Sequence, residues 1–215
     1  MTSSRCAVAS FAAVLLLSTP FAQTQQGAQG AFQGSTDVGT AQRGTSNYDA
    51  ANASYQVSGG GDDVWGTADA FRYTWTRVSG DITLAADVKV AQPGTYPKAK
   101  GMLMIRQNLE PGSPYADIAI HADGHITLQY RLTQGGETKD TDMPEHGDLR
   151  LQIARRGDVY TASVLSDYGG PAPSVTLTMQ GPVYVGLGAC SHSVSALQKV
   201  SFSHVQIVPA TSATH

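Results

Sequence analysis

Apolar and polar residues alternate along much of this chain. In residues 71–77, Phe71, Tyr73 and Trp75 fall on one side of an extended backbone. In residues 81–90, Ile82, Leu84, Ala86, Val88 and Val90 do the same. A period of two over such lengths predicts half-buried strands. Residues 55–81 hold both tryptophans and read as a strand end, a glycine-acid turn and an alternating strand closed by a second Gly-Asp turn. Residues 99–106 are apolar on both faces near their end, which predicts a central strand. Residues 115–121 and 125–131 alternate across Asp123-Gly124, a hairpin signal in which both turn positions are expected at positive φ. Residues 149–155 and 159–165 predict a second hairpin across Arg156-Gly157-Asp158. Strands at 175–177, 183–188 and 199–207 follow. Residues 34–39 read as a turn-rich edge segment, 137–148 as a polar loop and 191–197 as a loop with one helical turn. Pro93-Gly94, Tyr96-Pro97 and residues 167–170 read as turns. About eleven short strands at roughly 8–12-residue spacing predict an all-β, two-sheet antiparallel β-sandwich of sandwich or jelly-roll type.

The first 22 residues depart from this pattern. Arg5 supplies a positive start, residues 6–17 an apolar run, and Ser18-Thr-Pro-Phe-Ala22 a breaker and a small residue for cleavage. This is the pattern of a signal peptide, too short to span a bilayer. Cleavage is expected after Ala22, with Ala28 as the alternative, and the product is expected to be secreted or periplasmic. Residues 23–33, rich in Gln, Ala and Gly, read as a disordered lead-in, 34–208 as the β-sandwich domain and 209–215 as a flexible tail. No other stretch reaches the ~18 apolar residues of a membrane span.

Composition narrows the function. A net charge of -3 with no basic run beyond Arg155-Arg156 offers nothing to attract nucleic acid. Of the two cysteines, Cys6 leaves with the signal, so Cys190 has no intramolecular partner. Its setting at an apolar strand end predicts a buried small hydrophobe.

Gly59-Gly-Gly-Asp-Asp63-Val-Trp65-Gly, Asp69-Ala-Phe-Arg-Tyr73, Val78-Ser-Gly-Asp81, Gly101-Met-Leu-Met-Ile-Arg106, Leu149-Arg-Leu-Gln-Ile, Arg155-Arg-Gly-Asp158 and Val183-Tyr-Val-Gly-Leu-Gly188 occur in this order. Together they resemble a bacterial family of exported concanavalin A-like jelly-roll domains, often found beside TolB-type propeller repeats or glycoside hydrolase modules. The resemblance covers residues 32–208. It implies a concanavalin A-like jelly roll, and glycan binding where a role is inferred for such domains.

Sugar recognition needs aromatic platforms and planar polar side chains. Trp65, in a loop, is the aromatic expected at the surface. Tyr73, Trp75, Tyr96, Tyr115 and Tyr130 are further aromatics, with Phe71, Tyr73 and Trp75 expected in the core. Asp87, Arg106, Asp117, Gln129 and Arg131 lie on strands, most at the parity opposite to the apolar face, and would line a polar concave cleft. These five and Trp65 are the candidate ligand-binding residues. Asp62, Asp63 and Asp69 form a glycine-rich acidic loop, the best candidate for a structural calcium. A glucanase would need paired carboxylates flanking the bond. The chain's glutamates, Glu110, Glu137 and Glu145, all sit in turns or loops. No catalytic residue is assigned, and the enzyme alternative requires aspartates converging from different strands. His121 and His125 flank a turn and read as exposed hairpin ends. Cys190 and His192 lie two apart without an orienting third group. The reading is a non-catalytic binder of carbohydrate or another extracellular polymer. The alternatives are a hydrolase-like jelly roll and a protein-interaction domain of the cell envelope.

Overall fold

A computed structural model describes residues 30–91, 96–166 and 169–210. The expected signal peptide, the lead-in up to residue 29, Pro93-Gly94, half of the turn at 167–170 and the tail beyond residue 210 lie outside the described residues.

The described residues contain strands and no helix. In chain order the strands are β1 (Gly34–Val38), β2 (Thr45–Asp49), β3 (Ser54–Gly61), β4 (Phe71–Val78), β5 (Ile82–Val90), β6 (Lys100–Arg106) and β7 (Tyr115–His121). They continue as β8 (His125–Arg131), β9 (Lys139–His146), β10 (Leu149–Arg156), β11 (Val159–Val164), β12 (Ser174–Thr176), β13 (Val183–Cys190) and β14 (Ser193–Pro209). Two seven-stranded sheets result. The first runs β1-β4-β13-β6-β7-β8-β9 and the second β12-β11-β10-β5-β14-β3-β2. The fold is an all-β jelly-roll sandwich.

Between the sheets lies the main core. Leu84, Val88, Leu151, Ile153, Val200 and Phe202 of the second sheet meet Leu103, Ile105, Ile118, Leu128, Val185 and Leu187 of the first. Each such side chain contributes roughly 1.5–3 kcal/mol by leaving water. Alternation then dictates what the opposite face carries. Because Leu103 and Ile105 point inward, Lys100, Met102, Met104 and Arg106 point outward. β6 is the fourth strand of its sheet, the central place its two-sided apolarity predicts.

Three expectations are corrected. Residues 137–148 are not a loop: β9 is an edge strand paired to β8. It presents Lys139, Asp140, Asp142 and Glu145, carries Pro144 and commits only Met143 to the core. Charges and proline suit an exposed edge and hide its period from a hydrophobic scan. β1 and β2 are likewise short polar edge strands, and residues 193–197, expected as a loop, open β14 with little burial. In the β7–β8 hairpin Gly124 alone has positive φ, 88°. Its amide donates to the His121 carbonyl at 2.9 Å. A three-residue loop ending in a left-handed glycine explains this where a two-residue turn does not. Phe71 and Tyr73 are buried as expected and Trp75 is partly buried, but in a core of their own outside the inter-sheet one. Phe71 and Tyr73 belong to a second apolar cluster with Val38, Val64, Met102, Met104, Tyr115 and Cys190 on the outer face of the first sheet.

Candidate functional site

That second cluster exists because a loop covers the outer face. Residues 62–70 leave β3 and fold over β6, β7 and β8 before β4 begins. Val64 is fully buried beneath the loop, and its backbone carbonyl lies 3.4 Å from Lys100 Nζ. At the loop's far end Asp69 accepts from both terminal nitrogens of Arg131, at 2.7 and 2.9 Å. Arg106 Nη2 approaches the same carboxylate at 3.4 Å. All three side chains are wholly buried. Arg131 also donates to the carbonyls of Gly66, Ser113 and Gly136, at 3.0, 3.1 and 2.9 Å. Arg106 serves the carbonyls of Asn108 and Glu110, at 2.7 and 2.6 Å. The guanidinium planes lie over Phe71 and Tyr115. Full use of planar donors on fixed acceptors is what arginine does best when buried.

Four sequence expectations change accordingly. Arg106 and Arg131 are on the expected face but brace the covering loop, out of reach of a ligand. Asp117 is also completely buried. Burial drives its carboxyl far above the usual range, against the pull of Lys100. Asp87 lies on the second sheet, where it binds Arg150 at 3.0 Å and His204 at 2.6 Å. The three aspartates of the acidic loop have separate surroundings. Asp69 is committed to guanidinium groups, Asp63 to Lys100 at 2.8 Å, and Asp62 is exposed to solvent. Among the described residues no three His, Cys, Asp or Glu side chains are grouped to hold a metal ion.

What stays open is a cleft of about 310 Å³ at the edge of this loop. Trp65 stands on one wall, 40% exposed. Gln129 and Lys100 form the floor, both almost wholly buried. Lys100 Nζ is 2.8 Å from Asp63 Oδ1 and 3.5 Å from Gln129 Oε1. Lys98, Asp140, His121 and His192 complete the lining. His192 Nδ1 lies 3.4 Å from Asp63 Oδ2, and its ring meets the exposed Tyr96 edge-on with centroids 6.4 Å apart. Trp65 and Gln129 are therefore the expected ligand residues that reach the cleft. Lys98, Lys100, His121, Asp140 and His192 were not expected there. The parity of Lys100 with Arg106 would have placed it; Asp140 was hidden in the edge strand.

Burial, with the Lys100 ammonium next, holds the His121 imidazole down at about 4; Asp123 and Asp63 pull it up and His125 down. The ordinary value in an unfolded chain is about 6.5. Between these values the unfolded chain binds more protons than the folded one, so stability present above pH 6.5 is lost as pH falls towards 4. The loss is on the order of 3 kcal/mol. Urea unfolding at neutral and mildly acidic pH should show it, and His121→Gln should flatten that part of the slope. An unchanged slope in the variant would assign the acid sensitivity to other groups.

Cys190 is fully buried, and burial pushes its thiol up to about 12. Burial of the side chain agrees with the structural reading.

No protein-family model matches the sequence, and no curated protein does. Solved structures do resemble the fold. A functionally unknown protein from Saccharomyces cerevisiae superposes with a TM-score of 0.58 at 19% identity, covering 78% of this chain and 97% of that one. The carbohydrate-binding module CBM66 from Bacillus subtilis gives 0.55 at 14% identity, covering 82% and 96%. Lectin I-B4 from Griffonia simplicifolia gives 0.52 at 8% identity, covering 80% and 94%. At these identities the likeness is one of fold, a concanavalin A-like jelly roll.

Proposed function

We propose that this sandwich is an exported, non-catalytic glycan-binding domain whose site is the cleft beside Trp65. The observation that carries the reading is an exposed indole fixed above a polar floor. Sugar rings offer flat C–H faces to aromatic rings and hydroxyls to planar polar groups. Trp65 supplies the first requirement, with Tyr96 exposed nearby. Gln129, Asp63 and Asp140 supply the second. Carbohydrate binding by a module and lectins of the same fold agrees with this reading.

The chemistry of the carboxyls favours binding over hydrolysis. A glycosidase needs one protonated and one ionised carboxyl flanking the bond. Of the two carboxyls that burial pushes up, Asp117 lies beneath the loop and Asp69, within it, is held by Arg131 and Arg106. Asp63, at the cleft, is ion-paired to Lys100.

A glycan array probed with the purified protein tests the reading. Binding to at least one saccharide is expected, weakened at least about tenfold in Trp65→Ala, the loss of a central aromatic anchor. Gln129→Ala should weaken it with the fold intact by circular dichroism. Saccharide binding that survives Trp65→Ala would move the site elsewhere, and silence across the array would end the glycan reading.

A further inference from the structure

Resting on that reading, we propose that the occupant is an uncharged glycan chain lying across Trp65, with one subsite on each side of the indole. Two depressions meet at this ring. One is the cleft over Gln129. The other, about 490 Å³, has Thr40, Asp62 and Pro111 among its walls. Asp63, Trp65 and His192 line both. An aromatic shared by adjoining depressions is a centre and not an end wall. The loop that carries it is pinned through Asp69 to two buried arginines, so the ring is held between the depressions at little entropic cost to binding. A single sugar would fill one side and leave the other wet.

The charges select an uncharged chain. In the cleft over Gln129, Lys98 and Lys100 are matched by Asp63 and Asp140. Lys100 already lies 2.8 Å from Asp63, and the His121 ring is neutral at pH 7. On the other side Asp62 is an exposed carboxylate and the charge of Asp69 is taken up by guanidinium groups. A uronate or sulfated chain would meet Asp62 on one side and compete with Asp63 and Asp140 for the lysines on the other, a repulsive arrangement that discriminates as effectively as an attractive one. Hydroxyls, by contrast, can donate to all three carboxylates and pair with Thr40 and Gln129.

The test has two stages. The protein is first titrated with neutral polysaccharides (mixed-linkage glucan, xylan, galactomannan and fructan) and with acidic ones (alginate and polygalacturonate), at low and high salt. Short and longer oligosaccharides of the polymer that binds are then titrated into the native protein and into Thr40→Trp, an exposed position where the new indole occupies the second depression. Binding to neutral polymers with little salt dependence is expected. Affinity should rise about tenfold or more, roughly 1.4 kcal/mol, once a chain spans both sides. Thr40→Trp should erase that gain. Preference for the acidic polymers, weakening with salt, would overturn the inference and leave glycan binding standing. Neutral binding with no gain from length and no response to Thr40→Trp would overturn the two-sided arrangement. Binding to none of the polymers would remove the glycan reading itself, and this inference with it.

Discussion

Replacing Asp69 with alanine is expected to lower stability by about 3–5 kcal/mol, the cost of breaking a buried ion pair by deleting one partner. For a domain of this size that corresponds to a melting temperature lower by roughly 6–20 °C. The carboxylate has both oxygens within 2.9 Å of Arg131 and one 3.4 Å from Arg106. Without it two guanidinium groups remain on one dry face, stacked on Phe71 and Tyr115. Neither can turn to water without lifting the 62–70 loop. Asp69→Asn, which keeps the shape and one acceptor oxygen, should recover part of the loss. Guanidinium chloride unfolding followed by tryptophan fluorescence measures both variants, and Trp65 reports on the loop itself. A loss below about 1 kcal/mol would be the behaviour of an exposed pair and would show that this cluster does not hold the loop.

The same cluster connects stability to binding. Val64 seals the outer face, Asp69 anchors the loop's far end, and Trp65 projects between them. Under the glycan reading the buried charges would act on the ligand only through the position of that indole. Loss of affinity in Asp69→Ala should therefore track loosening of the loop, and the Asn variant should recover both together.

How much of this was legible depends on where each strand's information lies. β5 announces itself because five apolar residues share one face and a paired sheet covers them. β6 was legible as central, yet the outer residues of β6, β7 and β8 are covered where the sequence suggested an open polar face. Arg106, Asp117 and Arg131 have the right parity for a polar face, but parity does not tell water from a covering loop. What covers them is residues 62–70, a stretch with three aspartates that follows Gly59-Gly60-Gly61 and whose composition suggests solvent and calcium. One apolar residue, Val64, and one acid, Asp69, fold it inward, and a single pair of residues leaves no periodic trace. Trp65 was legible because a loop between turn residues gives a large aromatic little to bury against. Asp140 and Lys98 were not, since their place in the cleft comes from strand pairing and loop packing far apart in sequence. Asp87 shows the converse limit: its parity is polar like that of Gln129, but it belongs to the other sheet, and alternation does not say which sheet a strand joins.

Gly61→Ala should cost on the order of 4 kcal/mol, from two penalties that add at one atom. Gly61 closes β3 with φ at 119°, a conformation that only glycine adopts freely. A Cβ there would also overlap the carbonyl of Ala70, where the loop returns to β4. The two ends of the loop are thus in backbone contact. Cys190 Sγ sits against both, 3.6 Å from the Gly61 carbonyl and 3.5 Å from that of Ala70. Methylation of Gly61 would force these ends apart and shift the whole covering segment, Trp65 included. Gly66, in the same loop, supplies the control. Its φ is 55°, but a Cβ there would meet nothing within 4 Å. Gly66→Ala should therefore cost only the left-handed backbone penalty, about 1–2 kcal/mol. Denaturant unfolding of the two variants separates the terms, since they share a loop and differ in crowding. Equal losses would mean that backbone conformation alone sets the cost. A loss several-fold larger at Gly61 would show that backbone contact at the base of the loop adds to what the neighbouring Asp69–arginine cluster holds.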